Sequence, residues 1–129
     1  MDDYILTCLK DIRNAILEVE SYFIDYPFRY DFFEKDMKTR RAVERNVEIM
    51  GEAMSRIRKV EPDYQIPNSK EVIATRNRVI HSYEYVEPSF LWGLVIRHIP
   101  ELKKDIEQLI SERLKTGNFD SDVKELFNS

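Results

Sequence analysis

The stretch ILTCLKDIRNAILEVESYF, residues 5–23, decides the fold. Ile5, Leu9, Ile12, Ile16, Val19 and Phe23 recur at alternating intervals of four and three. That spacing lays one apolar stripe along a helix of about five or six turns. Strict alternation, the mark of a half-buried strand, is absent. The stripe stops near DYPFRYDFF, residues 25–33, where Pro27 disfavours helix at Tyr26.

Outward from this helix the pattern repeats. Val43, Val47, Met50, Met54 and Ile57 form a second stripe, widened by Ala42, Ile49 and Ala53. Small residues at Ala42, Gly51 and Ala53 would let another helix approach closely. EPDYQIPNS, residues 61–69, then breaks the chain with two prolines. Ser69 is a candidate N-cap and Asn68 its rival, for a short helix containing Val72, Ile73, Val79 and Ile80. EYVEPS, residues 84–89, is the next break, and Pro88 suits the first turn of a last long helix. That helix carries Leu91, Leu94, Val95, Ile99, Leu102, Ile106, Leu109 and Ile110. Pro100 inside its pattern places a kink or restart near His98. Gly117 is the expected C-cap residue, and residues 116–129 form a short tail.

These elements predict an all-α protein: an up-down bundle of four to five helices with a kinked last long helix, in one domain over residues 1–129. The two long stripes call for either a homodimer through the first two helices or a wide monomer core.

Composition agrees. A chain of 129 residues with three glycines and five prolines favours long regular elements. The single cysteine, Cys8, excludes an internal disulfide and a cysteine-based metal site, and its neighbours Leu6, Leu9 and Ile12 mark a buried thiol. No apolar run reaches membrane-spanning length and the chain opens with acids, so a cytoplasmic protein is expected. Charge is unevenly placed. Residues 1–34 hold three basic and eight acidic side chains, whereas residues 35–59 hold eight basic and four acidic. The basic segment includes Lys38, Arg40, Arg41, Arg45, Arg56, Arg58 and Lys59. It reads either as a phosphate-attracting stripe or as a solvated face of ion pairs between Arg41 or Arg45 and Glu44 or Glu48.

The chemistry concentrates in RNRVIHSYEYV, residues 76–86. At about 100° per residue, Asn77 and Arg78 share a helix face with His81, and Arg76 lies about 140° away. Its long side chain can wrap toward the helix end. Near a helix C-terminus, unpaired carbonyls favour the imidazolium of His81, which suits a general acid or base. An adjacent arginine can clamp a phosphate and stabilise charge developing there. Tyr83 adds a hydroxyl. Such a set is competent to cleave a phosphodiester without a metal or another cofactor. On spacing alone, a capping histidine with packing aromatics at Tyr83 and Tyr85 is the simpler reading.

Arg76, His81 and Tyr83 make an R-x4-H-x-Y pattern that resembles the signature of the HepT-like toxins, a branch of the HEPN superfamily of α-helical RNases. RRAVERNVEIMGEAMSRI, residues 40–57, resembles that family's second helix. Residues 66–106, IPNSKEVIATRNRVIHSYEYVEPSFLWGLVIRHIPELKKDI, resemble its motif region and kinked fourth helix. The likeness covers about residues 3–115, although ATRNR and HSYEYV lack glycines common in relatives. It implies a homodimer whose two motifs face each other in a composite RNA-cutting site. It also implies a minimal nucleotidyltransferase of the MntA type as antitoxin partner in a type VII toxin-antitoxin system. In some pairs that enzyme transfers AMP to the motif tyrosine, here Tyr83. The roles that follow are general acid or base for His81, stabilisation of the crowded phosphate for Arg76, RNA positioning for Asn77 and Arg78, and RNA contact or AMPylation for Tyr83. A different class stands beside this one: a non-catalytic helical nucleotide- or protein-binding partner of a nucleotidyltransferase.

Overall fold

The computed structural model describes residues 3–81 and 86–116, with backbone alone for residues 79–81 and 116. Among these residues all regular structure is helical: α1 (Tyr4–Tyr22), α2 (Tyr30–Lys35), α3 (Met37–Val60), α4 (Lys70–His81), α5 (Pro88–Gly93), a π-helical segment (Leu94–His98) and α6 (Ile99–Thr116). The all-helical expectation holds. The expected C-cap Gly117, the tail beyond Thr116, and Tyr83 and Tyr85 lie outside the described residues.

Helix α1 starts where Asp3 caps it: its carboxylate accepts the Leu6 N–H at 3.1 Å. Its stripe is the core. Ile5, Leu9, Ile12, Ile16 and Val19 are buried, with Phe23 just past the last turn and packed against the same core. Helix α3 answers with Val43, Val47, Met50, Met54 and Ile57, all buried. Burying each such side chain is worth roughly 1.5–3 kcal/mol. The apolar faces of α1 and α3 pack on each other within one chain. Cys8 is buried there as a free thiol.

Cross-links fix the helix directions. Asn46 on α3 donates to the Tyr22 hydroxyl at the end of α1, and Arg56 near the end of α3 pairs with Asp11. The two helices are antiparallel. Lys103 pairs with Glu20 and Arg113 with Asp3, so α6 also runs opposite to α1.

Two features differ from the sequence expectation. A short helix, α2, begins within DYPFRYDFF and is anchored by the buried Phe33 under Trp92, with ring centroids 5.1 Å apart. The disturbance expected near His98 is a π-helical turn over Leu94–His98. The Ile99 N–H donates to the Leu94 carbonyl, five residues back, immediately before Pro100. Proline has no N–H to give, and its ring crowds the preceding turn of a regular α-helix. A widened turn relieves that crowding. Pro88 occupies the start of α5, as its fixed φ favours.

At the head of α4, Ser69 holds the cap position and its carbonyl accepts the Ile73 N–H at 3.0 Å. Asn68 has a left-handed backbone and donates from its amide to Asp105 on α6. Among the described residues no helix is long and apolar enough to cross a membrane.

Candidate active site

Helix α4 presents the motif, and α3 supplies its seat. Gly51 lies buried in the middle of α3, directly beneath Arg76. A Cβ added at Gly51 would stand 2.6 Å from Arg76 Cδ and 2.9 Å from its Cβ and Cγ. The methylene stem of the arginine therefore lies flat on bare backbone. Its Nε is sealed from solvent with no hydrogen-bond partner among the described residues. Packing, not a carboxylate, holds this guanidinium in place. The small residue that the sequence offered for close helix approach thus receives a single cationic side chain.

Asn77 and Arg78 are exposed on α4. Arg78 reaches across to α5, where its guanidinium carbon stands 4.2 Å from the centre of the Phe90 ring. This stack bridges the elements on either side of residues 82–85. His81 ends α4 in the described backbone; its side chain lies outside the described residues, as does all of Tyr83. The structure brings together Arg76, Arg78 and the backbone of His81 on one helix.

Further contacts hold the helix. The Thr75 hydroxyl donates to the Glu71 carbonyl at 2.8 Å. Glu71 Oε2 lies 3.9 Å from His98 Nδ1 on the π-helical segment, so that segment braces α4 from the side. Phe90, Glu71 and His98 were not singled out in the sequence. The legible sign for Phe90 was a bulky aromatic beside Pro88 and off the stripe of Leu91, Leu94 and Val95. Nothing local marked Glu71 or His98, which meet only through the fold.

Three arginines of the basic segment form ion pairs. Arg41 reaches Glu44 at 3.1 Å, Arg45 reaches Glu48 at 3.7 Å, and Arg56 meets Glu52 as well as Asp11. The reading of a solvated, ion-paired face accounts for these residues. A cleft of about 500 Å³ lies between the start of α3 and Pro88, lined by Lys35, Arg40 and Arg41 together with Glu34 and Glu44. No group of three or more acid, histidine or cysteine side chains suited to a metal occurs among the described residues.

The family model described as ribonuclease HepT-like matches residues 9–109, which span both α3 and the motif helix. The chain belongs to the HepT-like ribonuclease family. Individual relatives agree with this. A protein described as a probable ribonuclease HepT, from Thermococcus cleftensis, is 36% identical over 105 residues, covering 78% of this chain and 91% of the relative. A protein of Methanocaldococcus jannaschii that bears an RNase name is 33% identical over 110 residues, covering 80% of this chain and 90% of the relative. A third, also named as an RNase, comes from Caldanaerobacter subterraneus subsp. tengcongensis and is 32% identical over 85 residues, 64% of this chain and 75% of its own. No solved structure is significantly similar to the chain. In this HepT-like ribonuclease, the matched span contains Gly51, Arg76, Arg78, His81, Tyr83 and Phe90.

Proposed function

We propose that this HepT-like ribonuclease is a cytoplasmic endoribonuclease toxin that cuts RNA through Arg76 and His81 without a metal. The observation that carries the reading is the seat of Arg76. Its stem is fixed on Gly51, its Nε is sealed without a partner among the described residues, and it forms no ion pair with any described carboxylate. An arginine held by packing keeps its terminal nitrogens for an anion, and its fork matches two phosphate oxygens.

The chemistry follows from that placement. A ribose 2′-hydroxyl gives its proton to a neutral imidazole, that of His81, as its oxygen attacks the adjacent phosphorus. Negative charge builds on the non-bridging oxygens, where Arg76 stabilises it. The bond to the 5′ oxygen breaks, and that oxygen takes a proton from an imidazolium or from water. The products are a 2′,3′-cyclic phosphate and a free 5′-hydroxyl. Asn77 and Arg78 guide the flanking backbone.

Two copies acting as a homodimer would join their motifs across one cleft. The natural restraint on such an enzyme is a cognate minimal nucleotidyltransferase that attaches AMP to Tyr83. The added phosphodiester would bring negative charge to the arginine that an RNA phosphate must use.

Purified protein incubated with RNA and excess chelator tests the core of the proposal. Cuts ending in cyclic phosphates are expected, and His81→Ala or Arg76→Ala should slow them by at least about a hundredfold while the helical signal is kept. His81→Ala with near-full activity would rule the mechanism out. A folded wild type that cuts nothing but binds the nucleotidyltransferase would favour the non-catalytic partner instead. Co-expression with that enzyme should add AMP at Tyr83, and Tyr83→Phe should escape silencing. Equal neutralisation of an unmodified chain would remove the modification step.

A further inference from the structure

We propose that Phe90 and Arg78 form a platform for one unpaired nucleobase beside the cleavage motif. This rests on the ribonuclease reading above, and it adds Phe90, which lies outside the motif, as the partner of Arg78.

Three observations converge on the pair. Phe90 is 46% exposed although it sits at the head of a helix that buries Pro88 and Leu91. Apolar burial therefore does not explain the ring. Arg78 is exposed, stacks on that ring at 4.2 Å, and has no ion pair with any described carboxylate. Arg13, Arg58, Arg76 and Arg97 likewise form no ion pair with a described carboxylate, so the stack on Phe90 is what sets Arg78 apart. A guanidinium lying over an aromatic ring keeps its N–H edge free, because stacking uses its face. The location also fits: Arg78 precedes His81 by three residues on α4, and Phe90 opens α5 just beyond residues 82–85.

The pair can offer two things at once. The ring face that Arg78 leaves uncovered can take any base, and the guanidinium gives donors to a neighbouring phosphate. Stacking on one aromatic ring reads no base edge, so the site tolerates sequence. A base inside a duplex is already stacked on its neighbours and is not available to the platform. In-line attack by a 2′-hydroxyl likewise needs a sugar free to rotate. A platform that splays out one base next to Arg76 and His81 supplies that freedom.

The test uses the full chain carrying His81→Ala, with fluorescently labelled single-stranded RNA and the matching duplex. Single-stranded RNA should bind more tightly than the duplex. Phe90→Leu should weaken single-strand binding by about fivefold to a hundredfold, the range one base stack is worth, and Phe90→Trp should restore it. An RNA with one abasic nucleotide at the stacked position should bind as weakly as the Phe90→Leu pair does, and should lose nothing more with that variant. Arg78→Gln should lower the salt slope by about one phosphate contact. Unchanged binding by Phe90→Leu, a flat abasic scan or a wild-type preference for duplex overturns the platform. Loss of chain association without loss of RNA binding makes Phe90 a protein contact, which also overturns it. If the unsubstituted chain cuts no RNA yet binds it through Phe90, the platform stands and the active-site reading falls.

Discussion

At the scale of single residues, Gly51 is the position whose cost demands a reason. A glycine inside a helix is less favourable than alanine by roughly 0.5–1 kcal/mol, and Gly51 lies in the middle of a 24-residue helix. Arg76 supplies the reason, since a methyl group would overlap its stem. The relation makes a prediction with a change of sign. Gly51→Ala alone should lower stability by about 1–3 kcal/mol, as overpacking does, and should cost at least about tenfold in RNA cutting by shifting the guanidinium. In an Arg76→Ala background the same change should become stabilising, because only helix propensity remains. Urea unfolding of the four proteins in this cycle reads the result. Equal destabilisation in both backgrounds would show that the glycine serves something other than the arginine. The sequence offered Gly51 as a place for close approach and Arg76 as a phosphate clamp. It could not join them, because the contact spans two helices and a proline-containing break.

At the scale of elements, the head of α3 is tied to the segment before it by one carboxylate. Asp36 accepts the Thr39 N–H at 3.2 Å, the Thr39 hydroxyl at 2.6 Å and the Tyr26 hydroxyl at 2.9 Å. The Thr39 hydroxyl, above all, holds the Asp36 carboxyl below its ordinary range. Burial, followed by the Asp36 hydrogen bond, pushes the Tyr26 phenol up to about 12. The two shifts act at opposite ends of the pH scale. The contribution of Asp36 is complete above the unfolded value near 3.9 and is lost as pH falls through its lower folded value. That of Tyr26 is complete below its unfolded value near 10 and is lost as pH rises through its folded value. Asp36→Ala should cost about 1–2 kcal/mol at neutral pH as a lost cap. Asp36→Asn should keep most of the cap but flatten the fall in melting temperature below about pH 4. An unchanged acid limb in that variant would place the acid sensitivity on another carboxylate. The long helices and the short helix α4 were legible here, and the six-residue α2 was not. The stripes of α1 and α3 each repeat over several turns. Helix α2 has six residues and one buried side chain, Phe33, whose anchor Trp92 is distant in sequence. Pro100 announced a disturbance, but the choice of a π-helical turn depends on how α6 continues along α1.

At the scale of the whole molecule, the surface available for association is not the one the stripes suggested. Ile12, Ile16, Val47 and Met50 are fully buried within a single chain, so the seam of α1 and α3 cannot also be a dimer interface. What remains outside is concentrated between the two helices, where Ile24 is 73% and Phe28 79% exposed, with Phe32 and Met37 also open. Scattered exposed apolar residues are ordinary, but four within fourteen positions make this segment the candidate partner surface. A two-fold dimer places the same patch of each copy against the other, so one pair of substitutions acts on both sides. Light scattering in dilute solution should give about twice the 15.5 kDa chain mass. Ile24→Ser combined with Phe28→Ser should return the mass to one chain without loss of helical signal, because neither side chain belongs to the core. The same pair should lose RNA cutting if two motifs complete one site. Ile12→Ser, by contrast, should unfold the chain, since a hydroxyl replaces a fully buried side chain. A wild type of single-chain mass at micromolar concentration would sink the dimer. A double variant that stays dimeric and active would move the interface elsewhere on the molecule.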